Sequence, residues 1–289
     1  MKTTGRNSPK AAGWRIIFAT AAACRLQIHP GTEMSVQTQT ITGIVIKEIK
    51  TKESDKIITV LSKELGVINI YVKGAMRLKN KFHSATGLFT YSEFVIFRSR
   101  SSDLYQLNEA SVKHIFHALS SNVEYLALAM YMSELVCEVS VPNDMNNEIL
   151  RLYLNTLHML TTGKWQILLC KAAFEMRLMC DTGFRPDLLG CKTCGEYDKD
   201  IFFIDVENGD VVCTTCMKSY QTDRLIMEKP AMLAMRYFAY ADLDKMFSFT
   251  VSDFFARHLA LVRERYVLRH TKPEYKTLQF FKSLQSQEI

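Results

Sequence analysis

Val67-Ile68-Asn69-Ile70-Tyr71-Val72-Lys73 alternates apolar and polar side chains with a period of two. That period belongs to a strand with one buried face, so Ile68, Ile70 and Val72 point inward while Asn69, Tyr71 and Lys73 share the outer face. Four further strands are predicted around it: Thr40 to Ile49, Ile57 to Ser62, Phe89 to Arg98 and Leu104 to Glu109, with turn signals between them. Five short strands in so small a unit imply a closed or half-closed barrel, because an open sheet of that size would leave two edges exposed.

Among such barrels the OB-fold is the commonest that binds nucleic acid. From about Val112 the periodicity becomes helical. Ser121 and Glu124 form a capping box for a helix through Leu126, Met130, Leu135 and Val139, which Pro142-Asn143 ends. A second helix runs from about Met145 to Thr161 and stops at Gly163. A third carries Trp165, Leu169, Phe174 and Met179 and ends at Asp181-Thr182-Gly183. Further on, Pro230 opens a helix at a first-turn position, and Ser252 caps a last one through Phe255, Leu259, Val262 and Val267. The predicted fold class is α+β. Residues 1–33 form a leader or upstream extension read as disordered, residues 34–112 the OB-fold barrel, and residues 113–289 a helical domain with an inserted zinc ribbon-like module at 188–220.

That module rests on two CxxC pairs, Cys191 with Cys194 and Cys213 with Cys216. Each pair presents two sulfurs on one side of a tight turn, and the long insert lets the second fold back onto the first. The spacing is that of a tetrahedral zinc site. Four thiolates leave no open coordination position, so a single Zn²⁺ here is structural. Between the pairs, Ile201-Phe202-Phe203-Ile204 reads as a strand, Asn208-Gly209 as a hairpin turn and Asp210-Val211-Val212 as the return strand. Two redox dithiols are the other reading, which gives the intervening hairpin no purpose.

The chain carries a net charge of +6, divided as +4 over residues 1–33, +5 over residues 34–115 and −3 over residues 116–289. A basic barrel followed by an acidic remainder is the asymmetry of one domain meeting a polyanion and the other meeting protein. From Cys191 to Cys216 the formal charge is −4, which disfavours phosphate and makes the module a staple or protein contact. Outside the knuckles, Cys24, Cys137, Cys170 and Cys180 lack disulfide-like spacing, in keeping with a reducing cytoplasm. The apolar stretch Ile16 to Cys24 superficially resembles a secretion signal, yet reduced thiols argue against export. No apolar run is long enough for a membrane helix.

The candidate chemistry is cationic. Lys73-Gly74-Ala75-Met76-Arg77-Leu78-Lys79-Asn80-Lys81, followed by Phe82 and His83, reads as a mobile basic loop on the barrel rim. Its cations would neutralise phosphates, and Tyr71 or Phe82 would stack on a base. A solvated surface loop has the same composition. His114 and His117 stand at helix spacing without metal-site context, and the stripes with Met130, Met132, Met176 and Met179 read as packing. Nucleotide-binding loops, nucleophile elbows and HExxH are absent, and nothing assembles a nucleophile with a base. Neither an enzyme nor a small-molecule substrate is expected.

Several segments together resemble the RecO family of bacterial recombination mediators: Gly43-Ile44-Val45-Ile46-Lys47, Glu53 to Ser62, Leu65-Gly66-Val67-Ile68, Lys73-Gly74-Ala75-Met76-Arg77, Leu104 to Ala110, Phe174 to Met179, and Thr182-Gly183-Phe184-Arg185-Pro186-Asp187-Leu188 directly before Cys191. The resemblance implies an N-terminal OB-fold that binds single- and double-stranded DNA, a helical body interrupted by the zinc module, and a non-enzymatic role. That role is DNA repair in a RecFOR-type pathway: annealing strands coated by single-stranded DNA-binding protein and, with RecR, helping load the RecA recombinase at gaps. By motif position Lys47, Lys73 and Arg77 are the expected phosphate contacts, extended by Lys79 and Lys81; Tyr71 is added from strand alternation. The leader before Met34 and the Lys79-Asn80 pair depart from the family pattern, and beyond about Pro230 the likeness fades. Arg257, Arg263 and Arg265 are candidates for a basic rim on the last helix. A cytoplasmic, nucleoid-associated protein is implied, and no membrane partner. The alternative is a zinc-ribbon adaptor that joins proteins without annealing DNA itself.

Overall fold

The computed structural model describes residues 38–77, 80–98, 104–141, 147–218 and 224–286. The leader at 1–33, Lys79 and the Pro142-Asn143 stop lie outside them. The first five strands are β1 (Thr38–Thr51), β2 (Asp55–Ser62), β3 (Gly66–Val72), β4 (Thr90–Arg98) and β5 (Tyr105–Ile115). They pair around a ring in the order β1-β2-β3-β5-β4, with β4 returning to β1. The β3–β5 seam is the narrowest, two parallel pairs at Ile70↔Tyr105 and Tyr71↔Gln106. β3 alternates as its sequence predicts: Ile68, Ile70 and Val72 are buried with Ile41, Val45, Ile58, Val60, Phe94 and Ile96 in the barrel core.

Gly43 is required where β1 crosses β2 closely, since a Cβ there would lie 2.6 Å from the Leu61 carbonyl oxygen. β1 buries both faces. Ile41 and Val45 fill the barrel, whereas Ile44 and Ile46 join Leu61 and Phe89 in the core of the helical body. One continuous apolar layer therefore locks barrel to body.

β5 continues to Ile115, past the point where helical periodicity was expected from Val112, because its second half stays paired with β4 through Ser92↔Val112 and Thr90↔Ile115. His114 accordingly lies on a strand, edge-on to Phe116. The helices are α1 (His117–Ser121), α2 (Val123–Val139), α3 (Asn147–Thr162) and α4 (Ile167–Asp181). Asn122 caps α2, in place of the expected Ser121 box: its side-chain oxygen accepts from the N–H groups of Glu124 and Tyr125 at 2.9 and 3.0 Å. Gly163 and Gly183 follow α3 and α4 at positive φ, as their stop positions predict. Trp165 precedes α4 instead of lying in it, packed against Phe247 and Phe249.

Next come β6 (Ile201–Ile204), β7 (Val211–Cys213), the single turn α5 (Thr214–Met217) and β8 (Leu225–Glu228), then α6 (Lys229–Tyr240), α7 (Asp253–His270) and α8 (Lys276–Gln285). The hairpin reads as predicted, with Gly209 at φ +73°. β8 adds an unpredicted third strand on β6. α8 is also additional, and it packs on α2 through Leu278 and Phe281, with Thr277 and Lys272 bound to Glu134 at 2.6 and 2.7 Å.

α4 is the centre of the body. Leu169 to Cys180 are buried except Arg177, including a Lys171–Glu175 ion pair at 2.8 Å. Glu264 of α7 reaches Lys171 at 3.1 Å, and the Tyr131 hydroxyl donates to Glu175 at 2.7 Å. A buried pair survives only with such additional partners.

Candidate nucleic-acid interface and metal centre

The basic segment after β3 departs from a mobile loop, because its described residues are pinned. The buried Asp55 carboxylate accepts the Gly74 N–H at 2.7 Å and the Tyr71 hydroxyl. Gly74, at φ +66°, turns the chain, and Met76 N–H donates to the Ser54 carbonyl at 2.9 Å. Asn80 closes the other side, its amide donating to the Gly74 carbonyl and its side-chain oxygen accepting the Phe82 N–H, both at 2.6 Å. These bonds lower the Asp55 pKa from its ordinary value, chiefly through the Gly74 N–H and then Tyr71. The Tyr71 phenol is raised by the same contact.

This frame presents Lys73 and Arg77 to solvent at one end of the barrel. Lys81 is exposed beside them, its ammonium 4.8 Å from the Phe82 ring centre. Tyr71 is half-buried. Lys47 lies apart, exposed after a bulge in β1 and beside a cavity of about 290 Å³ lined by Ile46, Leu88, Met130 and Cys137. Lys73, Arg77 and Lys81 thus share one loop, while Lys47 sits near the barrel–body junction. Asp55 and Asn80, which shape the loop, were missed as site residues. Local pattern gave no signal for them, because Asp55 lies 19 residues before Gly74 and Asn80 six residues after it.

The four module cysteines converge: their sulfurs all lie within 4.8 Å of one another. Cys194 and Cys213 are 3.8 Å apart at sulfur, the edge of a tetrahedron with metal–sulfur bonds of about 2.3 Å. Backbone geometry supports the knuckles, with Gly195 N–H donating to the Cys191 carbonyl at 2.7 Å and Cys213 N–H to the Cys191 sulfur at 3.4 Å. Against the effect of burial, backbone N–H groups draw the Cys191 thiol down to about 6, and Cys213 is also lowered. Cys194 and Cys216 are raised within the same cluster. This donor set suits a thiophilic ion, and the four sulfurs would hold it.

Much of the module's acidity is spent internally. Arg224, buried, bridges Asp205 at 3.2 Å and Asp210 at 2.8 Å. Asp205 also caps the hairpin turn, accepting Glu207 and Asn208 N–H groups at 2.9 and 3.2 Å. Burial opposes its ionisation, but the Asn208 side chain, those N–H groups and Arg224 together hold its carboxyl low. Lys229 pairs with Asp198 at 2.7 Å.

Two sequence expectations need correction. Arg263 cannot belong to a basic rim: it is fully buried, its guanidinium 4.5 Å from the Tyr266 ring centre, and burial lowers its pKa. Arg257 and Arg265 are exposed. Met132, Met176 and Met179 are core residues, whereas Met130 is 38% exposed.

Fold and site together define an OB-type barrel with a pinned basic rim, fused to a helical body that carries a four-thiolate cluster. Comparison with known proteins narrows this class. The family model described as "Recombination protein O N terminal" matches residues 34–116, and "Recombination protein O C terminal" matches residues 120–279. The second match runs well past Pro230, where the motif likeness fades. "DNA repair protein RecO" of Acetivibrio thermocellus is 33% identical over 242 residues, covering 84% of this chain and 95% of that protein. Proteins of the same name from Alkaliphilus metalliredigens and Caldicellulosiruptor saccharolyticus are each 29% identical, covering 79% and 83% of this chain and 92% and 96% of theirs. The chain belongs to the RecO family of DNA repair proteins. Among the described residues no helix is long and apolar enough to cross a membrane.

Proposed function

We propose that this protein is a non-enzymatic recombination mediator of the nucleoid. It binds single- and double-stranded DNA, anneals complementary strands coated by single-stranded DNA-binding protein, and with RecR helps load RecA at gaps. Residues 34–112 form the DNA-binding unit and residues 113–289 the partner-facing body. Zinc held by Cys191, Cys194, Cys213 and Cys216 staples the module at 188–220.

The observation that carries this reading is the Asp55–Gly74–Asn80 frame, which fixes Lys73 and Arg77 as exposed cations on a barrel rim. Lys47, Lys79 and Lys81 extend the phosphate contacts, and Tyr71 borders them. Two like-charged strands approach slowly in water, and a cationic surface that holds one strand with its bases accessible lowers that barrier. Annealing should therefore need no nucleotide and weaken steeply with salt. The test is salt-titrated annealing by wild type and by a Lys73→Glu/Arg77→Glu variant. Loss of about tenfold or more in DNA affinity at low salt is expected. Unchanged binding by the variant would place the interface elsewhere, and an inert wild-type protein would favour the adaptor.

A further inference from the structure

The four clustered cysteines differ in how far solvent reaches them. Cys191 and Cys213 are buried, Cys216 is half-buried and Cys194 is exposed. The exposed Cys194 sulfur lies 3.8 Å from that of Cys213, which stands 19 residues on in the other knuckle. A disulfide holds its sulfurs at about 2.05 Å, so this pair is one short side-chain movement from a bond.

The hairpin turn and β8 are anchored without any sulfur. Arg224 ties Asp205 to Asp210 at 3.2 and 2.8 Å, and Arg269 of α7 pairs with Glu207. Two histidines of α7 add backbone contacts: His270 Nε2 meets the Val206 carbonyl oxygen at 3.1 Å and His258 Nε2 the Ile226 carbonyl oxygen at 2.6 Å. A change among the cysteines therefore acts on the knuckles and leaves these anchors in place.

We infer that the cluster is a peroxide-sensitive switch in which Cys194 is oxidised first and then bridges to Cys213. The inference rests on the zinc reading above and goes beyond it in assigning the thiolate that an oxidant reaches and the bond that results. Exposure selects Cys194, since oxidation of clustered thiolates follows access. Its sulfur attacks one oxygen of hydrogen peroxide, so that an S–O bond forms, the O–O bond breaks and hydroxide leaves. The Cys213 sulfur then attacks the Cys194 sulfur; the S–S bond forms as the S–O bond breaks and a second hydroxide leaves. Two thiolates lose two electrons, peroxide gains them, and zinc stays divalent. Cys191 and Cys216 remain as two ligands where a structural site takes four, so the ion is released. A dithiol reductant returns both electrons and restores the four thiols.

The bridge spans the same two knuckles that the metal would join. Oxidation and chelation thus remove one ion with different consequences, because only oxidation leaves a cross-link that constrains the unfolded chain.

The test treats the zinc-loaded full-length protein with hydrogen peroxide. Zinc release is followed with a chromogenic chelator too weak to strip the reduced site, and peptide mapping by mass spectrometry without reductant locates the bridge. About one zinc per chain should leave, with Cys194–Cys213 as the main disulfide, and dithiothreitol with added zinc should reverse both. Dimedone present during oxidation should label Cys194 ahead of the other three. The oxidised protein should melt within about 4 °C of the zinc-loaded form, a smaller fall than chelation gives. A main bridge within either CxxC pair, first labelling at Cys191 or Cys213, or a melting curve equal to that of the chelated protein would overturn the inference. Should the reduced protein carry no zinc, the zinc reading falls and the switch with it. Should it carry zinc that peroxide does not release, the switch alone falls.

Discussion

Asp55 shows how one side chain organises a surface. It accepts from a backbone N–H in the following loop and from a tyrosine on the next strand, and so links Glu53-Ser54-Asp55-Lys56 with Lys73-Gly74-Ala75, two segments that sequence alone presents as separate motifs. Its lowered pKa makes the linkage testable. The folded state holds the carboxylate more firmly than the unfolded chain, so this stabilisation is complete above the ordinary carboxylate range and is lost as pH falls through the lowered folded value. The stability difference between wild type and Asp55→Asn, from urea unfolding, should be flat from about pH 8 to about pH 5 and shrink below about pH 4. A difference that grows on acidification would rule the carboxylate out as the anchor. Arg263 carries the opposite lesson. In sequence it is one of several arginines on an amphipathic helix, and its burial depends on α4 and Tyr266 packing over it.

At the scale of elements, the four-cysteine module combines a locally coded half with a tertiary half. The CxxC spacing, the Asn208-Gly209 turn and the apolar strands are local signals, and each reappears as a knuckle or strand. β8 and Arg224 are not local. Arg224 arrives from beyond the second knuckle and joins Asp205 to Asp210 at the base of the hairpin, so the formal −4 overstates what the module shows to solvent. With zinc held there as proposed, its removal would leave four thiols with no ion to tie the two knuckles together. Chelation under reducing conditions should release about one zinc per chain and lower the melting temperature by about 10 °C, with Cys213→Ser giving the same shift in the absence of chelator. An unshifted melting curve after complete zinc release would show that the hairpin stands without it.

Across the whole molecule, the decisive feature is the shared core. Ile44, Ile46, Leu61 and Phe89 leave the barrel outward and are buried with α2, α3 and α4, so barrel and body stabilise one another through side chains that a freestanding barrel would expose. Leu61→Ala removes a buried side chain at that junction and should cost about 2–5 kcal/mol. It should shift barrel and body together in one transition, read by tyrosine fluorescence and far-ultraviolet circular dichroism. Separate transitions for the two would show the junction to be loose. The same junction brings Lys47 beside the body, while Lys73 and Arg77 are exposed at the end of β3.

The sequence by itself determined the barrel, the helical body and the two CxxC knuckles, because period-two alternation, capping residues and CxxC spacing act over a few neighbouring residues. It also carried the family, through ordered short motifs. Tertiary structure alone decided that β5 outlasts Val112, that Arg263 is buried, and that Asp55 and Asn80 hold the basic loop. Each of these depends on which strand or helix lies alongside. That is a matter of register and packing between residues distant in the chain, and local pattern carries no term for it.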